Sequence, residues 1–210
     1  MRVTKFGHAC VRIEYADAVI VLDPGAFTQA DAVDGATAVL ITHEHADHYH
    51  ADHLRATDAA IFTIEAVAEQ IRANAPDLLE RLHVVKPGSS FDAGLPVEVV
   101  GEQHAVIHHD LTRIDNSGYL LTVGEQRVYH PGDSLTLPDA AVDLLLAPIS
   151  APWLKVSEAI DFVRAVGAPR NLGIHDKIYT DVALGIVDTH MGNLLPDGQE
   201  FFRRADGQDV

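Results

Sequence analysis

The residues of this sequence that are best suited to chemistry lie in one short segment, His43-Glu44-His45-Ala46-Asp47-His48. Imidazole and carboxylate groups are the preferred ligands of zinc and related divalent ions. Because side chains alternate along an extended backbone, His43 and His45 point the same way and can hold one ion. Asp47 and His48, in the next turn, can face a neighbouring position. A solvated histidine-rich loop or a helix N-terminus is the alternative, but the buried apolar run at 38–42 directly before this segment favours a metal site.

Three more ligand-type residues also come after apolar runs. His104 comes after LPVEVVGEQ, Asp133 lies in a Gly-Asp-Ser turn, and His175 comes after PRNLGI. Each of these residues alone is a weak candidate. Their clustering at strand ends, together with their order and spacing, makes them candidates as a set, because structural histidines would be scattered along the chain.

The segment THEHADH resembles the HxHxDH signature of the metallo-β-lactamase superfamily. His104, Asp133 and His175 also appear in the superfamily's order, and the resemblance extends from GHACVRIE to GIHDK. It implies an α/β fold, a four-layer αβ/βα sandwich with two facing mixed sheets and outer helices. It also implies two divalent ions, with Zn²⁺ favoured and Mn²⁺ or Fe²⁺ as alternatives. By this resemblance the first ion is held by His43, His45 and His104, the second by Asp47, His48 and His175, and Asp133 bridges them.

The segment around His8, Phe6-Gly7-His8-Ala9-Cys10, resembles the branch that includes the ascorbate-6-phosphate lactonases, in which an N-terminal histidine lies beside the metals. His8 is therefore a candidate for proton transfer to the leaving group, with a hydrogen-bonded structural histidine as the alternative. Asp47 is a second catalytic candidate, because it can orient a metal-bridged hydroxide or accept its proton. A bound ion lowers the pKa of water from about 16 to about 7. We expect hydrolysis of an ester, lactone, thioester, amide or phosphodiester bond.

Other functions on the same scaffold remain open. Flavin-linked di-iron oxidoreductases are not among them, because they carry a glutamate where this sequence has His45 and need a fused flavodoxin-like domain, and both features are absent here. Sulfur-dioxygenase-like enzymes use a single iron held by the first-metal histidines and keep the HxHxDH pattern, so they are the alternative hypothesis. A binding module without catalysis is a third reading, although it would not need all seven ligand positions.

The elements that must position these residues form two β-rich halves, each followed by helical segments. Strands are predicted within 3–25, at 38–42, 95–104, 118–130 (a hairpin turning at Gly124-Glu125), 141–149 and 169–175. Helices are predicted at 65–74, at 158–167 with Ser157 as the N-cap, and at 181–195. We expect one domain over residues 1–210.

Composition limits the partners of the chain. Of its 210 residues 47% are apolar, and its formal charge of −16 would repel nucleic acid, so a small molecule is the expected substrate. No apolar run approaches the roughly 20 residues of a membrane span, and the N-terminus lacks a signal-peptide pattern, so a cytoplasmic location is expected. A single cysteine, Cys10, excludes an internal disulfide and is expected to be buried. A homo-oligomer, and pocket-lining roles for His108, His109 and Trp153, stay open.

Overall fold

Residues 1–210, described in a computed structural model, contain two seven-stranded mixed sheets. In hydrogen-bonding order the first sheet consists of β14 (Gln208–Asp209), β1 (Arg2–Lys5), β2 (Val11–Tyr15), β3 (Ala18–Leu22), β4 (Ala38–Ile41), β5 (Ala60–Thr63) and β6 (Leu82–Val84). The second consists of β13 (Glu200–Phe202), β12 (Arg170–Ile174), β11 (Leu144–Pro148), β10 (Gln126–His130), β9 (Gly118–Val123), β8 (Pro96–Val100) and β7 (Ser90–Asp92). Strands β3 to β6 are parallel, as are β10 to β13, and the other pairs are antiparallel.

The main core lies between the two sheets. Because side chains alternate along a strand, Ile20 and Leu22 of β3 point into this core while Val21 points out. In β11 Leu144 and Leu146 likewise point inward. Both faces of these strands are therefore apolar, as the continuous apolar runs in the sequence indicated.

Helices cover the two outer faces. Val67 and Ile71 of α2 (Glu65–Asn74) pack with Leu54 of α1 (Ala51–Arg55) against the first sheet. The helices α3 (Val156–Val166) and α4 (Asp181–Leu194) cover the second sheet in the same way. Short 3₁₀ turns occupy Ala30–Val33 and Pro76–Arg81. The four-layer αβ/βα prediction is confirmed.

Most predicted elements form, with three corrections. The prediction of Ser157 as an N-cap is wrong: α3 begins at Val156, because the Glu158 carboxylate accepts the backbone N–H of Lys155 at 2.9 Å and so places the N-cap at Lys155, two positions earlier. The strand predicted to continue to His104 ends at Val100, since Gly101 turns the chain at φ 74°. The strand predicted at 141–149 is shorter, Leu144–Pro148.

Two further sequence expectations concern single features. Cys10 is fully buried, and burial raises the pKa of its thiol, so it is not a nucleophile at neutral pH. None of the helices is both long enough and apolar enough to cross a bilayer.

Candidate metal centre

The ligand-type residues meet at one edge of the sandwich. Parallel strands bring their carboxyl ends to the same edge, and the polar segments after β4, β10 and β12 therefore converge. These segments carry the residues 43–48, Asp133 and His175, respectively. His104 arrives from the loop after β8, and His8 from the loop between β1 and β2.

Two groups of ligand atoms form at this edge, each with its members within 4.8 Å of one another. The first group contains His43, His45, His104 and Asp133. The second group contains His8, Asp47, His48 and His175. The structure thus brings together every predicted ligand, and it places His8, the predicted proton-transfer residue, beside the second group.

Asp133 lies between the two groups. Its Oδ2 faces His104 Nε2 at 3.3 Å, and its Oδ1 faces His48 Nε2 at 3.1 Å and His175 Nε2 at 3.2 Å. One oxygen is thus directed to each group, which is the geometry that a bridging carboxylate needs. The glycine before it is required, because Gly132 has φ 62° and a Cβ there would lie 2.3 Å from Asn116 Oδ1.

Hydrogen bonds made by Nδ1 of four imidazoles determine that Nε2 of each ring faces the cluster. The Nδ1–H groups of His48, His104 and His175 donate to Asp23 Oδ2, the Ala105 carbonyl and the Ser150 carbonyl. His43 Nδ1–H donates to Thr42 Oγ1, whose own hydroxyl donates to Asp23. In the neutral form of each ring Nε2 then carries a lone pair that points into the cluster, as a metal ligand must.

His8 has the opposite arrangement. Its Nδ1 accepts the backbone N–H of Lys177 at 3.1 Å, so in the neutral ring the proton is on Nε2. That Nε2–H donates to Asp47 Oδ2 at 3.2 Å. In the neutral state His8 thus presents a donor to the cluster, whereas His43, His48, His104 and His175 present acceptors.

The donor set fits divalent metal ions. Four buried atoms of the cluster lack a hydrogen-bond partner: His48 Nε2, His104 Nε2, His175 Nε2 and Asp133 Oδ1. When the rings are neutral, their Nε2 lone pairs face the carboxylate oxygens of Asp133 at 3.1 to 3.3 Å, an arrangement that is unfavourable unless protons or a metal ion lie among them. Imidazole nitrogen and carboxylate oxygen are the ligands that zinc accepts.

The electrostatics point the same way. Burial raises the pKa of Asp133, but the His48 and His175 imidazoles outweigh burial and hold that pKa well below its usual range. Burial lowers the pKa of His175, yet Asp133 and Asp47 more than offset it and bring the pKa to about 9. The carboxylates therefore stay ionised and attract a cation, and a bound metal would take the place of the imidazole protons.

The comparison with known sequences decides the family. The sequence profile described as beta-lactamase superfamily domain matches residues 2–175. The chain belongs to the beta-lactamase superfamily. Protein Rv0786c of Mycobacterium tuberculosis is 37% identical over 190 residues, covering 89% of each chain. A UPF0173 metal-dependent hydrolase of Methylobacterium nodulans is 25% identical and covers 100% of this chain and 94% of that protein.

Solved structures share the superfamily fold. The metallo-beta-lactamase fold protein YhfI of Bacillus subtilis superposes with a TM-score of 0.76 at 16% identity, covering 100% of this chain and 98% of YhfI. Igni18, a metallo hydrolase of Ignicoccus hospitalis, gives 0.76 at 18% identity, covering 100% and 97%. At this identity the likeness supports the fold alone, and the four-layer architecture agrees with it.

Asp23 supports this superfamily site and was not predicted from the sequence. It is fully buried after β3, and it accepts from His48 Nδ1 at 2.7 Å and from the Thr42 hydroxyl at 2.7 Å. It thereby orients the candidate ligand His48 directly and the candidate ligand His43 through Thr42. The signal was present in VIVLDPG, since an acid directly after a buried strand lies at the same edge as the other ligands.

Backbone strain is concentrated at this edge. The chain has four non-glycine residues with positive φ, and three of them belong to the site: His8 at 43°, Asp23 at 46° and His175 at 59°. The fourth, Ala16 at 50°, lies in the turn between β2 and β3.

A fully buried Lys5 holds the segment after His175, because its Nζ forms an ion pair with Asp176 at 3.0 Å.

A cavity of about 340 Å³ opens beside the ligands. The indole of Trp153 forms part of its wall, because Nε1–H donates to Asp133 Oδ2 at 3.0 Å and fixes the ring. The rings of His108 and His109 lie with their centroids 4.1 Å apart in the exposed loop after β8. Neither histidine lines this cavity. A larger hollow of about 620 Å³ at the opposite edge, near Tyr15 and Phe62, has no group of ligating residues.

Proposed function

We propose that this metal-dependent hydrolase of the metallo-β-lactamase fold cleaves an ester, lactone or phosphodiester bond of a small molecule at a dinuclear centre. The observation that carries the proposal is Asp133, which directs one carboxylate oxygen to each of two complete ligand groups. Zinc is the metal that the histidine and aspartate set favours, with manganese and iron as alternatives. The formal charge of −16 supports a small molecule rather than a nucleic acid as substrate.

The residues at this site would have three roles: holding the metal ions, orienting the attacking water and limiting the access of bulk water. His43, His45 and His104 would hold one ion, and Asp47, His48 and His175 the other. Bound ions would supply an activated water and polarise the bond under attack. Asp47 remains partly open, with 25% of its side chain exposed, and it can orient the attacking water or accept its proton. The wall formed by Trp153 limits the access of bulk water to the same place.

A mononuclear iron oxidoreductase is the competing hypothesis, and metal stoichiometry separates the two. Such an enzyme would need the first group alone, yet the second group is equally complete. Reconstitution followed by elemental analysis is expected to give close to two ions per chain, with hydrolysis of ester or phosphodiester substrates. A plateau at one iron with aerobic sulfite formation from glutathione persulfide would overturn the proposal.

A further inference from the structure

The wall of the metal cavity beyond the ligands is apolar. It is built by Ala46 from the ligand loop, Ile107 from the loop after β8, Pro152 and Trp153 after β11, and Ile178 after β12. Ile107 and Ile178 are 42% and 44% exposed, so two large apolar side chains face solvent at the cavity. Apolar side chains from separate loops that converge on one cavity are typical of a ligand-binding wall.

The cations near this wall already have partners. Lys177, two residues after His175, forms an ion pair with Asp206. Lys5 is fully buried and pairs with both Asp176 and Asp206. Neither lysine lines the cavity, and no arginine does. A substrate with a charged group away from the scissile bond would find no counter-ion there.

We propose that the substrate is a neutral carboxylic ester or lactone whose acyl or ring portion is apolar and carries no phosphate. The inference rests on the proposed hydrolase function. Water would add across the acyl C–O bond, giving one carboxylic acid and one alcohol from an ester, or a single hydroxy acid from a lactone. The apolar portion would lie against Trp153, Ile107 and Ile178, where a charged group would lose its hydration without a compensating partner. A cavity of about 340 Å³ suits a small molecule.

Matched substrates test this directly, because they keep the reacting group and change only the far end. The metal-loaded protein is assayed with 4-nitrophenyl hexanoate and with the mono-4-nitrophenyl ester of adipic acid, which carries a carboxylate at the end of a six-carbon chain. We expect kcat/KM to favour the hexanoate by at least tenfold. Within the cavity each added methylene should raise kcat/KM about fourfold. Equal or faster turnover of the adipate ester would overturn the inference.

Charge introduced at the wall should reverse the preference. Ile178→Arg and, separately, Ile107→Arg are expected to lower kcat/KM for the hexanoate and raise it for the adipate ester. Both side chains are already partly exposed, so the fold should be retained. Ile186→Arg, on the exposed face of α4, is the matched control and should leave the ratio unchanged. A ratio that stays unchanged in both cavity variants would contradict the assigned wall.

Binding gives a readout that does not depend on hydrolysis. Trp153 is the only tryptophan of the chain, so intrinsic fluorescence reports on this cavity. Hexanamide should change the emission, and the monoamide of adipic acid should need at least tenfold higher concentration for the same change. If no ester is hydrolysed but this difference is found, the hydrolase function fails and the apolar wall stands. If esters are hydrolysed but the two amides bind alike, the hydrolase function stands and the inference of an apolar substrate wall fails.

Discussion

His8 can have either of two roles at the metal centre: it can orient Asp47, or it can protonate the leaving group. Its Nε2–H donates to Asp47, and its Nδ1 accepts from the backbone N–H of Lys177. Glutamine can reproduce both contacts, because its amide oxygen accepts and its amide nitrogen donates. Glutamine cannot transfer a proton near neutral pH. Comparing His8→Gln with His8→Ala therefore tests whether His8 orients Asp47 or protonates a leaving group.

The size of the effect can be worked from the contact that is lost. A hydrogen bond to a charged group contributes about 1.5–3 kcal/mol, which corresponds to about 10- to 150-fold in rate if it is needed in the transition state. We expect His8→Ala to lower kcat/KM by about 10- to 100-fold while both metals stay bound. His8→Gln should remain within about fivefold of the wild type. Because His8 is fully buried, His8→Ala should also lower Tm by leaving space and an unpaired Lys177 N–H.

The assay is kcat/KM against pH for the three proteins, with an alkyl ester and an activated aryl ester, and with metal content measured on the same samples. A positioning role predicts the same ratio of variant to wild type for both esters. If His8→Gln is as slow as His8→Ala on the alkyl ester and recovers on the aryl ester, His8 donates a proton and the positioning argument fails. Metal loss in His8→Gln would instead make His8 a ligand.

Three further predictions concern the metals. His104→Ala and His175→Ala should each lose an ion from a different group and lower Tm, because bound metal stabilises the native state; unchanged metal content in both variants would contradict the ligand assignment. Asp23→Asn should weaken metal affinity about 10- to 100-fold in chelator competition, with the exposed Asp31→Asn as an unaffected control. Without metal, Asp133 and Asp47 raise the pKa of His175 from 6.5 to about 9. Protonated His175 therefore stabilises the metal-free fold fully below about pH 6.5, and this stabilisation is lost as the pH rises through 9. Metal binding strengthens over the same range because it needs the neutral imidazole, so the Tm difference between loaded and metal-free protein should widen; a constant difference would refute this.

Local patterns predicted much of the fold and the site because each has a direct physical cause. The apolar runs before His43 and His175 form buried parallel strands, and parallel strands bring the residues at their carboxyl ends to one edge. The roles of Asp23 and Trp153 could not be assigned in the same way, since the first is defined by a contact with His48 and the second by a contact with Asp133, both across long sequence separations. The inward donor of His8 depends on a backbone N–H that lies 169 residues away.

The left-handed backbone at His8, Asp23 and His175 sets a limit on engineering this enzyme for thermal tolerance. A side chain in that conformation costs about 1–2 kcal/mol per residue, and glycine would remove the cost. At these three positions the same glycine would also remove the donor to Asp47, the acceptor for His48 or the candidate ligand His175. Because all three side chains are buried and hydrogen-bonded, the strain cannot be relieved there without also losing those contacts. Ala16, in a turn away from the ligand groups, is the position where glycine relieves the same strain and leaves the catalytic machinery intact.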